Sequence, residues 1–156
     1  MRLNCSEHLI VRTAWLYGPG GPSYVHTLMR MAQEGTSEVR AASDQTGCPT
    51  STYAVAAVIR KLLRSPRLMG TLHLACGGEA SRYDFARAVF ELAGLGQKVV
   101  PCLSGEIPGS DVEPRSLKLE NRMLGMFGLP PMPDWRTALA DFMRRELSPA
   151  AGGSVR

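Results

Sequence analysis

The rest of the chain is organised around His8-Leu9-Ile10-Val11-Arg12-Thr13-Ala14-Trp15-Leu16-Tyr17-Gly18-Pro19-Gly20-Gly21. It opens as a continuous apolar, β-branched run, the pattern of a strand buried on both faces of a parallel sheet. It closes in Gly-Pro-Gly-Gly, which neither a strand nor a helix tolerates. Between the two, Arg12, Thr13, Trp15 and Tyr17 place polar or aromatic handles at the carboxyl end of the strand, the edge at which open α/β sheets bind ligands.

Beyond Gly21, the periodicity alternates between strands and helices. Ser23 caps a helix over about 24–34 with Val25, Leu28, Met29 and Ala32 on one stripe, stopped by Gly35. Residues 38–42 form a short strand candidate, and the turn-rich run 43–51 reads as a loop. A helix from about Thr52 carries Val55, Val58, Ile59, Leu62 and Leu63 and ends near Pro66. Residues 71–75 alternate as a strand. Ser81 and Asp84 make a capping-box start for a helix bearing Phe85, Val89, Phe90 and Ala93. Residues 98–103 form a strand held to an edge position by Pro101. The interval 116–127 reads as a short strand and then a helix. Asp134 caps a last helix carrying Trp135, Ala138, Leu139, Phe142, Met143 and Leu147, and the final residues read as a disordered tail. This order implies an α/β fold. Only 9–15 and 71–75 read as long strands, too few for a sheet that stands alone.

With 156 residues, 44% hydrophobic and 21% charged, the chain has the composition of one ordinary globular domain. There is no apolar run long enough to span a bilayer and no apolar leader before a cleavage site, so the expectation is a cytoplasmic location without membrane association. The four cysteines, Cys5, Cys48, Cys76 and Cys102, are dispersed and read as free buried thiols. The net charge of +4 comes from scattered residues, among them Arg60, Lys61, Arg64, Arg67, Arg82, Arg87, Arg144 and Arg145. They read as solvated helix faces, without the aromatic interleaving of a nucleic-acid binder. Catalytic motifs are missing: Gly18-Pro19-Gly20-Gly21 is neither a P-loop nor G-x-G-x-x-G, no serine lies in G-x-S-x-G, and His8, His26 and His73 lack metal-ligand spacing.

Five motifs in register carry a resemblance. Arg12-Thr13-Ala14-Trp15-Leu16-Tyr17-Gly18, Asp44-Gln45-x-Gly47-x-Pro49-Thr50, Gly70-Thr71-x-His73-Leu74 and Ser81-x-Tyr83-x-Phe85-Ala86 are followed by Pro114-Arg115, Leu119-Glu120, Phe127-Gly128-Leu129-Pro130, Trp135 and Ala138-Leu139. Over about residues 8–145 this order resembles the dTDP-4-dehydrorhamnose reductase family, extended short-chain dehydrogenases.

What the resemblance implies is the carboxyl-terminal, substrate-binding half of such an enzyme: the late strands of a Rossmann-type parallel sheet plus a small α/β substrate-binding subdomain, one domain over 8–147. The complete enzymes use NADPH or NADH, held by a Gly-rich loop, with a Tyr-x-x-x-Lys pair ahead of Arg12 that supplies the proton. The eleven residues before Arg12 contain neither a tyrosine nor a lysine, so the expectation is a chain that lacks catalytic residues, binds no cofactor alone, and is inactive by itself. By the same resemblance, Trp15 and Tyr17 would face the dTDP-sugar, joined by Asp44, Gln45, Pro49, Thr50 and Arg115. Arg12 and Thr13 would approach the cofactor. Two positions depart from the family pattern, Glu113 where arginine is usual and Leu117 where serine is common. A different class also fits: a non-catalytic subunit similar to the regulatory subunit of methionine adenosyltransferase, its unfilled strand edges pairing with a second copy, another chain or a missing amino-terminal half.

Overall fold

The computed structural model describes residues 8–64, 69–109 and 114–147. Its long elements are the parallel pair β1 (Leu9–Arg12) and β6 (Gly70–His73), the parallel pair β3 (Glu38–Ala42) and β8 (Lys98–Cys102), and the helices α1 (Tyr24–Gln33), α2 (Thr52–Leu62), α3 (Arg82–Leu92) and α5 (Trp135–Leu147). Short strands join these layers. β2 (Leu16–Tyr17) runs parallel to β5 (Thr50–Ser51), and β4 (Thr46–Gly47) lies between antiparallel β7 (Ala80–Ser81) and parallel β9 (Ser116–Leu117). A short helix, α4 (Arg122–Met126), precedes α5.

The α/β class and the parallel pairing agree with the sequence reading, but the opening strand does not stay whole. It ends at Arg12, and the chain resumes as β2 only at Leu16. The break is Trp15, whose φ of 44° lies in the left-handed region. That conformation costs an aromatic residue about 1–3 kcal/mol, and no strand continues through it. Nor is β1 fully buried: Leu9, Ile10 and Val11 are half-buried and Arg12 is exposed, and among the described residues β1 pairs only with β6, which leaves its other edge without a strand. The longest ladder is instead β3·β8, with five residue pairs from Glu38↔Lys98 to Ala42↔Cys102. Pro101 fits there because β8 has β3 on one side only among the described residues.

The run 43–51 is also not all loop, since it contains β4 and β5. Ser51 stands at the cap of α2 without a side-chain bond to it. Leu63 is 79% exposed and lies past the helix, so the apolar face of α2 consists of Val55, Val58 and Leu62, with Ile59 partly covered.

The other helix signals hold. Ser23 accepts from the His26 N–H. The Ser81 hydroxyl oxygen accepts from the Asp84 N–H (2.9 Å) while the Asp84 carboxylate accepts from the Ser81 N–H (3.2 Å), a closed capping box. The Asp134 carboxylate accepts from the Arg136 N–H at 2.9 Å. The core joins Leu28, Leu72, Leu74, Phe85, Phe90, Leu139 and Phe142, all at most 2% exposed. Cys48, Cys76 and Cys102 are free and buried. Burial is the leading cause that pushes the Cys76 and Cys102 thiols up. Cys5, Pro66, Arg67 and the 148–156 tail lie outside the described residues.

Candidate functional site

At the carboxyl end of β1 the chain lines a cavity of about 680 Å³, a size suited to a small organic ligand. Thr13 to Tyr17 form one wall, Tyr24 and Thr27 of α1 a second, and Ile107, Pro108 and Gly109 a third, with Gln45, Arg82 and Phe85 also in the lining.

Trp15 is built into this wall by backbone and by close packing. Its carbonyl accepts from the Thr50 N–H at 3.0 Å, continuing the β2·β5 ladder. Its indole lies on Gly47, where a Cβ would come within 2.7 Å of the ring, so glycine is required by close approach there. Gly18 has the same role at the end of β2, since a Cβ would fall 1.9 Å from the Thr52 hydroxyl oxygen.

Three polar atoms of the Thr13–Tyr17 wall, Thr13 Oγ1, Trp15 Nε1 and the Tyr17 hydroxyl, are buried with no hydrogen-bond partner among the described residues. Each such atom costs about 1–3 kcal/mol, a concentration of unsatisfied groups that marks this wall apart from the rest of the core. Tyr17 is 2% exposed and its ring packs on Phe85 and Phe142, at 5.4 and 5.3 Å between centroids. Burial pushes its phenol well above the ordinary tyrosine range, so it remains protonated.

The residues named from sequence divide into two sets. Thr13, Trp15, Tyr17 and Gln45 line the cavity. Asp44, Pro49, Thr50, Arg115 and Arg12 lie outside its lining and, for the most part, hold its walls. The buried Thr50 hydroxyl donates to the Cys48 carbonyl (2.8 Å) and accepts from the Cys76 N–H (3.2 Å), with Pro49 buried beside it. The Asp44 carboxylate accepts from the Ser104 N–H (2.7 Å) and hydroxyl (3.0 Å). Desolvation works to raise the Asp44 carboxyl, but these two bonds, a further one from its own N–H, and the Arg115 charge together hold it below the ordinary aspartate range. Arg115 is exposed, and its carbonyl accepts from the Thr46 N–H at 2.8 Å.

Arg82 is the residue that sequence reasoning missed. Grouped there with solvated cations, it is instead half-buried in the cavity, its guanidinium carbon 4.0 Å from the centroid of the Trp15 ring and 4.9 Å from that of Tyr24. It therefore occupies ring surface on which the sequence reading places the sugar. The signal available was its place inside the motif Ser81-x-Tyr83-x-Phe85-Ala86, directly after the helix cap. Among the described residues there is no cluster of His, Cys, Asp and Glu that could hold a metal ion, and no helix is long and apolar enough to cross a membrane.

Comparison with known proteins agrees with this architecture. The sequence pattern of the RmlD substrate binding domain matches residues 1–148. The chain is 33% identical over 148 residues to the spore coat polysaccharide biosynthesis protein SpsK of Bacillus subtilis, covering 95% of this chain and 51% of that protein. It is 37% identical over 134 residues to the dTDP-4-dehydrorhamnose reductase of Mycolicibacterium smegmatis, covering 85% and 41%. Among solved structures, the dTDP-4-dehydrorhamnose reductase of Bacillus anthracis in complex with NADP superposes with a TM-score of 0.83 at 32% identity, covering 89% of this chain and 48% of that one. The dTDP-4-dehydrorhamnose reductase ortholog of Clostridium acetobutylicum gives 0.82 at 36%, covering 88% and 48%. The chain thus spans about half the length of the relatives it matches. By this match over nearly its whole length, the chain belongs to the RmlD substrate binding domain family, a domain of the dTDP-4-dehydrorhamnose reductases.

Proposed function

We propose that this chain is the sugar-nucleotide-binding portion of an NADPH- or NADH-dependent dTDP-4-dehydrorhamnose reductase, acting in the formation of dTDP-rhamnose, and that it has no reductase activity alone. The observation that carries the reading is the cavity at the end of β1, built around Trp15 in a chain whose family is a substrate-binding domain. Trp15 and Gln45 are its direct sugar-nucleotide contacts, with Tyr17 lending the buried ring behind them. Asp44, Pro49, Thr50 and Arg115 act from outside the lining, by fixing the segments that bear the contacts.

In this reading the phosphates of the nicotinamide cofactor are not held by the Gly18–Gly21 turn. Gly18 is packed against Thr52, and Gly20 and Gly21 have no neighbours within 4 Å of a Cβ position. The cofactor supplies hydride when bound. In this reading its cradle and the proton donor come from residues outside this chain, and Arg12 and Thr13 only border it at the end of β1.

Calorimetric titration of dTDP-rhamnose, the reaction product, into the purified chain tests the reading without needing turnover. Saturable binding together with no NADPH oxidation on added dTDP-4-dehydrorhamnose is the expected result. Turnover by the chain alone would refute the inactivity, and failure to bind the product would refute the site.

A further inference from the structure

Two groups cover the Trp15 indole. Gly47 lies on a face of it, since the ring atoms nearest a Cβ at 47 are Cε2 and Cδ2, at 2.7 and 2.8 Å, where the two rings fuse. The Arg82 guanidinium carbon stands over the ring, 4.0 Å from its centroid. Stacking needs a bare face, so a sugar ring lies on Trp15 only where one of these groups gives way.

Gly47 is not free to do so. It belongs to β4, where it pairs with Ala80 of β7 and with Leu117 of β9. The indole is no freer to retreat, because the Trp15 carbonyl accepts from the Thr50 N–H at 3.0 Å and its backbone sits in the left-handed region. Arg82 differs, since its constraint is divided. The Ser81–Asp84 capping box and the bond from its N–H to the Gln45 carbonyl at 3.1 Å fix the backbone. The guanidinium is carried beyond that fixed point on a long stem of single bonds. It reaches from α3 to Trp15 on one cavity wall and to Tyr24, 4.9 Å away, on another. Arg82 is engaged with the fold beyond these two rings as well, so its position over Trp15 is a held one.

We propose that Arg82 gates the cavity: its guanidinium and the sugar ring of the nucleotide compete for the same face of Trp15, and the side chain swings off the indole when the sugar enters. This competition rests on the sugar-nucleotide reading above and deepens it by naming the group that the sugar displaces. The more firmly the guanidinium is held, the smaller the share of chains able to receive the sugar, and the apparent affinity falls by that share.

Calorimetric titration with dTDP-rhamnose and with dTDP, which lacks the sugar, tests the gate by comparing the unaltered chain with Arg82→Ala. The ratio of the two affinities is the readout, and Arg82→Ala is expected to shift it in favour of dTDP-rhamnose by about threefold or more, the scale of one guanidinium–indole contact. A second readout uses the unaltered chain and stands if Arg82→Ala does not fold. The Arg82 Nε–H signal, assigned by its loss in Arg82→Lys, should lie upfield under the indole ring current. It should return toward the ordinary arginine position as dTDP-rhamnose saturates the chain, and stay in place with dTDP. Arg136, whose guanidinium carbon lies 4.4 Å from the Trp135 centroid, should keep its shift in both titrations. An affinity ratio unchanged or lowered in Arg82→Ala, or an Arg82 signal that stays upfield with dTDP-rhamnose or moves equally with dTDP, would overturn the gate and leave the sugar-nucleotide reading standing. Absence of dTDP-rhamnose binding to either chain defeats that reading and the gate with it.

Discussion

Gly47 and Trp15 meet so closely that no other residue fits at 47: a Cβ there would lie 2.7 Å from Cε2 of the indole. The Trp15 backbone is itself held in a left-handed conformation, so the ring has little freedom to give way. Gly47→Ala is therefore expected to cost about 1–3 kcal/mol in overpacking. It should also push the indole off its seat, measured as a drop in melting temperature together with a shift in tryptophan emission. An unchanged emission would show that the ring is not fixed by this contact.

Asn121 ties the start of α4 to the segment after β6, its amide donating to the Ala75 carbonyl (2.6 Å) and accepting from the Ala75 N–H (2.9 Å). Ala75 is 0% exposed, so both of its backbone groups lose their partner if the side chain goes. Asn121→Ala is expected to destabilise the fold by about 2–6 kcal/mol, roughly twice the cost of one unsatisfied group. Denaturant unfolding measures it, with an unchanged midpoint as the contrary outcome.

The third cavity wall is held by acids. Asp44 accepts from Ser104, and Glu106 accepts from the Leu103 N–H and pairs with Arg40, which together fix the turn that leads into Ile107–Gly109. The Leu103 N–H bond and Arg40 hold the Glu106 carboxyl below the ordinary glutamate range, and Asp44 is likewise lowered. A carboxyl lowered in the folded state stabilises it above the unfolded pKa, and that contribution is lost as the pH falls through the folded value. The amide-exchange protection factors of residues 103–109 should thus hold near neutrality and fall once the pH drops below about 4. Asp44→Asn should show the lower protection already at neutral pH.

The capping box at Ser81 supports the helix that carries Arg82. Ser81→Ala removes the bond to the Asp84 N–H and should cost about 1 kcal/mol. Thermal unfolding measures this loss, and a change within error would mean that packing of Phe85 and Phe90 alone sets the helix start.

Much of this was legible in the sequence, for definite reasons. Periodicity and capping residues located α1, α3 and α5, because an apolar stripe and a cap are local properties. The single long opening strand was not real: Leu9 to Tyr17 has strand composition throughout, and the partners of Trp15 at the break, Gly47 and Thr50, are distant in sequence. β4 and β5 were hidden in turn-forming residues because two-residue strands have no periodicity to detect. In the site, motif matching found Thr13, Trp15, Tyr17 and Gln45, which line the cavity. It could not distinguish them from Thr50 and Asp44, whose polar atoms are engaged with the protein itself. Arg82 escaped because a charge at the start of a helix reads as solvated until the rings that flank it are known.

The cavity around Trp15 is proposed to hold the sugar nucleotide. The most direct measurement is an amide-shift titration of the labelled chain with dTDP-rhamnose. The expected result is saturable shifts concentrated at Thr13, Trp15, Gln45 and Arg82 and on the Ile107–Gly109 wall. No shifts, or shifts centred on the separate groove between Cys48 and Lys118, would contradict it.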